Sequence, residues 1–482
     1  MESTLRLSLR PGISLHEQAD QLTLEAPLVS PPSTSATFKK LSPTLMSVVK
    51  QLLDGPSSEQ DLAAQVLTAD GFPGLAKFNI IVSQMAGRAM LCHTVWADDA
   101  PLFTIVPIAI FYRFEPDKLK PDGRYVLSRF TLCRRDNGTM ILESPLGYAS
   151  VRLHSQQAMN ILSMLAEPRK AHDMAEVLGS DSLPNHVLTV LLNAQMLTEV
   201  MDDGTTAEDH DRALAQWEIH DLYFHSRSRM GRHNNPFGKA YAFEGEIEPQ
   251  PAIKPAMSDE IIRLYKPDLE ALKESDVPFT QVLENRRSIR SYGDKPISDQ
   301  QLGEFLYRAA RVQICYDDRR GGVTFRPYPG GGALHALEIY PVIDRCENIA
   351  SGLYHYNPLD HHLCKVSERN WHVESLLEMG WQMIAELDHP QVLLVIAARF
   401  QRVQWKYASI AYATILKDLG GLYQTMYLVG EAMGLAPCAL GGGHSDLFAR
   451  AAKLNYFAET CVGGFVLGTR GPQAPWIMDQ FG

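Results

Sequence analysis

Apolar residues recur at helical spacing in two similar arrangements in the N-terminal half of the chain. In the first, a stripe before Gly55-Pro56 is followed by a second helical pattern from residue 59; the stripe consists of Leu45, Val48, Val49 and Leu52. The arrangement returns over residues 158–178, with Ile161, Leu162 and Leu165 before Pro168. A third helix is predicted in each copy, over 75–90 and 184–198, with β-prone stretches nearby. The pattern predicts two winged-helix-like domains, at residues 1–115 and 122–200, the second with a potential role in peptide recognition.

From about residue 277 onward, helical and strand patterns alternate, which predicts an α+β domain over residues 275–482. Helices are expected over 299–311, 407–419 and 422–433, and buried strands over 337–343, 392–397 and 460–467. Residues 201–274 are rich in proline and polar residues and are predicted to be a linker or wrapping arm. We expect an aromatic and basic cluster in this arm to pack on the C-terminal domain; it comprises Trp217, His220, Phe224, His225, Ser226, Arg227 and Arg229.

Composition narrows the choice of function. The 482 residues carry a net charge of -11, and the two predicted third helices contain only Lys77 and Arg88 as cations, too few for a nucleic-acid footprint. Seven scattered cysteines without a CxxC pair predict reduced thiols. No metal site is expected, because the histidines at 355, 361 and 362 with Cys364 lack the spacing of a closed ligand set. No apolar run is long enough for a membrane helix, so a cytoplasmic, soluble protein is expected.

Two short segments carry the candidate chemistry. Residues 326–340 read RPYPGGGALHALEIY, and three consecutive glycines leave a backbone that a planar or anionic group can approach closely. About forty residues earlier, residues 285–292 read NRRSIRSY, which places three guanidinium groups and a hydroxyl within five positions. Guanidinium groups match the geometry of a phosphate. Taken alone, however, a glycine triplet is usually an ordinary loop and an arginine cluster is usually a solvated surface.

In this order and spacing, the two segments resemble the nitroreductase-like flavoprotein superfamily, in which an RRSxRxY segment grips FMN and a glycine-containing loop lies along the isoalloxazine. The chain is most similar to the SagB-type dehydrogenases, the azoline oxidases of peptide natural-product pathways, which include the cyanobactin and microcin oxidases. The resemblance implies that FMN is held by the cationic segment, the loop and a C-terminal cation. The implied cofactor-binding residues are Arg286, Arg287, Ser288, Arg290, Pro329, Gly330, Gly331, Gly332, Leu440, Gly441, Gly442 and Arg470.

The sequence of the glycine loop departs from the usual sequence of the superfamily at two places. Gly330 stands where serine is common, and His335-Ala336 replaces the usual Tyr-Pro. Contacts from the loop to FMN are therefore expected to come from backbone N–H groups.

The resemblance also implies a catalytic Lys406-Tyr407 pair, because SagB-type and microcin-type oxidases carry Lys-Tyr at this place. The sequence predicts that the pair starts a helix, where the positive end of the dipole would favour a neutral lysine amine. Azoline oxidation removes a Cα proton and a Cβ hydride, so one base and one acceptor suffice. Either Lys406 or Tyr407 could be the base, with the other residue orienting it or stabilising negative charge.

The implied function is FMN-dependent oxidation of thiazoline or oxazoline rings in a peptide to thiazole or oxazole, with O₂ as electron acceptor. The peptide would be a ribosomal precursor or carrier-tethered, and a homodimer and a cyclase partner are expected. Two alternatives stay open: an NAD(P)H-dependent nitro or quinone reductase, and a non-catalytic docking subunit of a peptide-modifying complex. Nucleic-acid and membrane partners are not expected.

Overall fold

The computed structural model describes residues 2–26, 34–385 and 387–471. The chain divides into two compact units, Met1–Phe237 and Gly238–Gly482. None of the helices in the described ranges is both long and apolar enough to cross a membrane.

The N-terminal unit mixes twelve strands with seven helices among its described residues. Its strands are β1 Ser3–Leu9, β2 Ser14–Gln18, β3 Gln21–Ala26, β4 Thr34–Phe38, β5 Ser57–Ser58, β6 Leu91–Ala97, β7 Ala100–Pro107, β8 Tyr125–Leu127, β9 Leu132–Asp136, β10 Thr139–Glu143, β11 Ala149–Leu153 and β12 Leu197–Glu199. Its helices are α1 Pro43–Asp54, α2 Glu59–Ala86, α3 Gln156–Met164, α4 Ala171–Leu178, α5 Ser182–Asn193, α6 Ala207–His210 and α7 Ile219–Arg227.

Both predicted helical arrangements of this unit are confirmed. In the first, α2 is interrupted at Gly71, whose φ of +67° is outside the helical region, so the predicted third helix is the part of α2 after this kink. In the second, α3, α4 and α5 follow one another, and the chain enters β12 where the third helix was expected to continue. One seven-stranded antiparallel sheet, in the order β5-β1-β6-β7-β11-β10-β9, takes strands from both predicted winged-helix regions.

Part of the aromatic and basic cluster of the predicted arm lies on or next to α7 and packs within the N-terminal unit; its expected packing on the C-terminal domain stays a prediction. Arg227 forms an ion pair of 3.0 Å with Glu143 of β10, and the Tyr223 hydroxyl donates to the Glu143 carbonyl oxygen at 2.6 Å. The Trp217 and His225 rings stack with centroids 5.8 Å apart. Contacts with Glu143 of β10 hold α7 in place. The composition of the predicted arm gives no indication that β10 is the partner of this helix.

The C-terminal unit is a second seven-stranded antiparallel sheet with helices on both faces. Its strands are β13 Gly238–Lys239, β14 Ile261–Arg263, β15 Ile314–Tyr316, β16 Val323–Phe325, β17 Leu337–Ile343, β18 Gly352–Asn357, β19 His362–Glu368, β20 Val392–Arg399, β21 Tyr407–Ala408, β22 Leu435–Leu440 and β23 Glu459–Thr469. Its helices are α8 Leu269–Ser275, α9 Phe279–Asn285, α10 Asp299–Ala310, α11 Trp371–Met383, α12 Phe400–Gln404, α13 Ala411–Ala432 and α14 Ser445–Ala451. The sheet order is β14-β19-β18-β17-β20-β23-β22.

Alternation along the central strands divides the core of this unit into two layers. On β20, Leu394 and Ile396 join the layer beneath α10 and α13, whereas Leu393 and Val395 join the layer beneath α11 and α14. The three predicted strands and the predicted helix over 299–311 are confirmed by β17, β20, β23 and α10.

The two helices expected over 407–419 and 422–433 are instead the single helix α13, so the predicted break is wrong. Gly420 and Gly421 lie inside it, although each glycine costs a helix roughly 1 kcal/mol relative to alanine. A Cβ atom at Gly421 would lie 3.0 Å from Pro329 Cγ, so the missing side chain allows the glycine loop to pack against the helix.

Candidate active site

The glycine loop, residues 329–332, lies against α13. The Gly331 N–H donates to the Asp418 carboxylate, at 2.9 Å to Oδ1 and 3.1 Å to Oδ2. A Cβ atom at Gly331 would overlap the Thr414 methyl group. Thr414, Asp418 and Gly421 lie at spacings of four and three on one face of the helix, so α13 serves as the platform for the loop.

Lys406 and Tyr407 converge on Gly332, the last glycine of the loop. Gly332 has a φ of +65°, a left-handed conformation that glycine adopts without steric cost. Lys406 Nζ donates to the Gly332 carbonyl oxygen at 3.3 Å. A Cβ atom at Gly332 would lie 2.8 Å from this amine and would overlap the Tyr407 hydroxyl. The amine and the phenol are therefore presented side by side at the backbone of the loop.

The local structure around Lys406 differs from the predicted helix start. The amide of Lys406 donates to the Val403 carbonyl at 3.2 Å, so this residue follows the end of α12. Tyr407 pairs with Lys239 of β13, and Ser409 has a φ of +62°, so α13 begins only at Ala411. The expected influence of a positive helix terminus on Lys406 is therefore wrong.

Burial and neighbouring cations perturb the titration of Lys406. Desolvation lowers its pKa, and the positive charges of Lys239, Arg402 and Arg320 lower it further, against the opposing effect of Asp318. Desolvation raises the pKa of Tyr407, with further contributions from Tyr241 and Asp418. The neutral amine is thus made more accessible, and the phenol is kept protonated.

Asp418 is a third titratable group of this site. Its side chain lies buried beneath the glycine loop, and desolvation raises its pKa to about 6, although the hydrogen bond from Gly331 acts in the opposite direction. The site therefore contains a carboxyl with a raised pKa directly beneath the loop that Lys406 and Tyr407 approach.

Antiparallel pairing brings three chain segments to one end of the sheet. Leu337, at the start of β17, pairs with Ala398 near the end of β20, and Ala398 pairs with Thr460 near the start of β23. Leu440, at the end of β22, pairs with Gly464 of β23. Three segments consequently leave the sheet at the same end: the glycine loop before β17, the Lys406 segment after β20 and the glycine-rich segment after β22.

The cationic segment, residues 286–290, lies farther along the same helix. Ser288 and Tyr427 of α13 share a hydroxyl–hydroxyl hydrogen bond of 2.7 Å, and the Arg286 guanidinium lies over the Tyr427 ring, 5.0 Å from its centroid. The Ile289 N–H donates to the Pro437 carbonyl of β22 at 2.9 Å. Tyr427 is about 14 Å along the helix axis from Asp418. The glycine loop and the cationic segment are therefore joined by one rigid helix.

Three family models match the chain. Residues 283–469 match the nitroreductase family, residues 125–234 the cyanobactin oxidase ThcOx, and residues 1–116 the ThcOx helix-turn-helix domain. The chain therefore joins ThcOx-type domains to a nitroreductase domain. The nitroreductase domain contains the glycine loop, the cationic segment and the Lys406-Tyr407 pair.

The chain is also similar to individual proteins and to one chain of a solved complex. The chain is 26% identical over 196 residues to MJ1384 of Methanocaldococcus jannaschii, a protein named as a nitroreductase, covering 41% of this chain and 92% of that protein. It is 30% identical over 139 residues to the microcin B17-processing protein McbC of Escherichia coli, covering 28% of this chain and 50% of McbC. The E. coli microcin synthetase McbBCD complex with truncated pro-MccB17 bound contains a chain with 22% identity and a TM-score of 0.33, covering 52% of this chain and 91% of that chain.

Other predicted cofactor-binding cations of the nitroreductase domain have different surroundings. Arg290 is half-buried and has no hydrogen bond or ion pair among the described residues, whereas Arg287 is half-buried with partners of its own. Arg470 follows β23 and is bound to the C-terminal end of α13, about one turn beyond Tyr427, with a 2.8 Å ion pair to Glu431 and a 3.1 Å hydrogen bond to the Leu435 carbonyl. Arg470 as a phosphate ligand stays a prediction, and in that role it would share its charge with Glu431.

The second predicted cofactor segment, Leu440 to Gly442, lies at the end of β22. Leu440 is buried, and the two glycines are exposed. Gly441 has open space around it, and Gly442 approaches Met383, whose sulfur would lie 3.1 Å from an added Cβ. No hydrogen bond joins this segment to the first glycine loop among the described residues, so its role at the cofactor stays a prediction.

Sequence reasoning missed Arg402, which organises the surroundings of Lys406. Its buried guanidinium donates to the carbonyl oxygens of Leu334 at 2.9 Å, Gln250 at 2.7 Å, Gly321 at 2.9 Å and Gly322 at 3.0 Å. One side chain thus connects the end of the glycine loop with two other loops. A cavity of about 130 Å³ lies beside it and is lined in part by Lys406, Tyr241 and Asp318. No short motif marks such a residue, because all its partners are main-chain carbonyls from distant segments.

Proposed function

We propose that this protein catalyses FMN-dependent oxidation of thiazoline or oxazoline rings in a peptide to thiazole or oxazole, with O₂ as the electron acceptor. The observation that carries the proposal is the convergence of Lys406 and Tyr407 on Gly332, in a nitroreductase domain that the same chain joins to ThcOx-type domains. A lysine and a tyrosine at this loop match the pair implied by the resemblance to azoline oxidases.

The residues present fit FMN. Added Cβ atoms at Gly331 and Gly332 would meet Thr414, Tyr407 and Lys406, so both positions require glycine and the loop carries no side chains there. Among the described residues, the N–H groups of Gly330 and Gly332 have no acceptor, whereas the Gly331 N–H is used by Asp418. These features suit close approach of a planar ring to the backbone.

The phosphate of FMN would be held by the cationic segment. Arg286, Ser288 and Arg290 provide two guanidinium groups and a hydroxyl within five positions, and Arg290 has no protein anion to neutralise it among the described residues. Charge-assisted hydrogen bonds from guanidinium to phosphate oxygens are among the strongest polar contacts that proteins make. When bound, FMN supplies the two-electron acceptor that this chain's side chains lack.

The protein side chains would manage the proton. The azoline ring loses two hydrogens: the Cα hydrogen leaves as a proton, and the Cβ hydrogen leaves with both electrons. We assign the base to the Lys406 amine, because its pKa is lowered, whereas that of the Tyr407 phenol is raised. Tyr407 then donates a hydrogen bond that orients the ring or stabilises negative charge developing on it.

Similarity to McbC supports a proposal for the partners of the reaction. The peptide would be a ribosomal precursor or a carrier-tethered chain, and a cyclase would supply its azoline rings. The assembly of McbBCD with truncated pro-MccB17 is consistent with such a partner. We further propose a cytoplasmic homodimer.

Anaerobic spectroscopy of the purified protein tests the proposal. The flavin absorbance should be bleached by a thiazoline-containing peptide, with formation of the thiazole, and restored on admission of air. Bleaching by NADPH without peptide, with no response to the thiazoline peptide, would instead assign a nitro or quinone reductase. Purified protein that neither retains FMN nor binds added FMN would indicate a docking subunit.

A further inference from the structure

A buried carboxylate without a cationic partner lies beneath the glycine loop. Asp418, in the middle of α13, is only 7% exposed. Within the described parts of the chain, the Gly331 amide is its one hydrogen-bond donor, and no cation forms an ion pair with it. Burying a carboxylate costs free energy unless it is well paired, and one main-chain amide compensates for this cost only in part. The stability of α13 therefore does not account for an acid at this position.

The Asp418 carboxylate fixes the backbone of the loop at Gly331. Both carboxylate oxygens face the Gly331 N–H, at 2.9 and 3.1 Å. Consecutive glycines have wide backbone freedom, so partners outside the loop must set the direction of its peptide groups. The Thr414 methyl group borders the same glycine, but an apolar contact limits only how closely the loop approaches the helix. The hydrogen bond limits how the peptide group between Gly330 and Gly331 can rotate.

The constraint at Gly331 reaches Lys406 through one further residue. Gly332 follows directly, and its carbonyl oxygen accepts from Lys406 Nζ at 3.3 Å. This hydrogen bond is longer than the usual range, so a small rotation of the carbonyl would break it. The lysine stem is flexible, and the Gly332 carbonyl is the acceptor that holds its amine among the described residues. The direction of this carbonyl therefore decides where the amine lies.

We propose that Asp418 is a positioning residue for the proton transfer. Its carboxylate holds the Gly331 amide, and the loop fixed in this way presents the Gly332 carbonyl that holds the Lys406 amine. The inference rests on the function proposed above, in which Lys406 takes the proton from the azoline ring. Asp418 acts through the loop and exchanges no proton itself. A carboxylate accepts a hydrogen bond more strongly than a neutral amide oxygen does, which accounts for an acid at this position.

Steady-state kinetics with a thiazoline peptide and the FMN-loaded, full-length protein test the inference. Asp418→Ala removes the acceptor and should lower kcat about tenfold or more, with KM and FMN affinity within about threefold of wild type, because the reacting amine is displaced while the peptide still binds. Asp418→Asn keeps one acceptor oxygen and should retain at least about a third of the wild-type kcat. Asp259→Ala is the control for the same chemical change, because Asp259 is exposed beside the edge strand β14, and its kcat should equal that of the wild-type protein.

A merely structural role of Asp418 gives a different pattern. Wild-type kcat in Asp418→Ala, or equal losses in Asp418→Ala and Asp418→Asn, would overturn the inference while leaving the proposed function in place. If Asp418→Ala does not retain FMN, Asp418→Leu, which resembles asparagine in shape but has no acceptor, replaces it in the comparison. Loss of FMN from both variants would assign Asp418 to the stability of the domain and overturn its positioning role. A wild-type protein that leaves the thiazoline peptide unchanged would overturn the proposed function, and this inference with it.

Discussion

Gly332→Ala is the most informative single substitution, because it tests the convergence of Lys406, Tyr407 and the glycine loop without changing a charge. Two effects combine at this position. A left-handed φ of +65° costs an alanine about 1–2 kcal/mol, and the new methyl group would lie 2.8 Å from Lys406 Nζ and overlap the Tyr407 hydroxyl. Both side chains must move, and a displacement of about 1 Å at reacting groups can cost about a hundredfold in rate.

Gly434→Ala is a matched control for the backbone effect. Gly434 has a φ of +64°, and no heavy atom lies within 4 Å of an added Cβ, so only the conformational cost remains. For a domain of this size, 1–2 kcal/mol corresponds to a fall of about 2–8 °C in Tm. Differential scanning calorimetry should show this fall in Gly434→Ala and a fall at least as large in Gly332→Ala.

The two variants should separate in activity. Turnover of a thiazoline peptide, followed by mass spectrometry, should fall about a hundredfold in Gly332→Ala and stay within about twofold of wild type in Gly434→Ala. Wild-type turnover in Gly332→Ala, with the expected fall in Tm, would refute the placement of the two side chains at the loop. Equal losses of turnover in both variants would show that backbone strain alone explains the effect.

Three further predictions follow from named contacts. Burial raises the pKa of Asp418 from its ordinary 3.8 to about 6, so the stability that its protonated carboxyl contributes is present below about pH 4 and is lost as the pH rises through 6. Urea unfolding at a series of pH values should show that Asp418→Asn removes about 3 kcal/mol of this pH dependence. Parallel profiles of unfolding free energy against pH for the two proteins would contradict this prediction. Arg402→Met removes four hydrogen bonds to main-chain carbonyls and should lower the free energy of unfolding by about 3 kcal/mol or more, whereas a loss below 1 kcal/mol would mean that this residue does not hold the loops together. Arg290→Gln should weaken FMN binding at least about tenfold in a flavin fluorescence titration, with Arg345→Gln, an exposed arginine elsewhere in the same domain, as control; equal affinities would exclude Arg290 from the phosphate site.

The periodic elements of the fold could be predicted from the sequence. Strands β17, β20 and β23 and helix α10 bury long apolar runs or one clear stripe, and their predicted positions agree with the structure. The prediction failed where tertiary contacts override local preference. Gly420-Gly421 signals a helix end, yet α13 continues through it because Pro329 packs against the bare backbone.

The candidate site could be predicted only in part, because some of its residues form sequence motifs and others do not. The glycine triplet and the arginine-rich segment are each contiguous in sequence, so both are recognisable as motifs from the order of their residues alone. Asp418 and Arg402 could not be recognised in this way, because their importance comes from hydrogen bonds to Gly331 and to carbonyls far away in sequence. The surroundings of Lys406 were mispredicted because pairing of Tyr407 with Lys239 joins residues 168 positions apart.

The most direct test of the central claim is the mass of a thiazoline peptide after incubation with FMN-loaded protein in air. The wild-type protein should remove two mass units from the peptide, Lys406→Ala should not, and Tyr407→Phe should do so much more slowly. Lys417→Ala and Tyr412→Phe, exposed neighbours on α13 that carry the same chemical changes, should behave like the wild-type protein. Full activity in Lys406→Ala with FMN still bound would contradict the account, because no lysine amine would then be needed to take the proton.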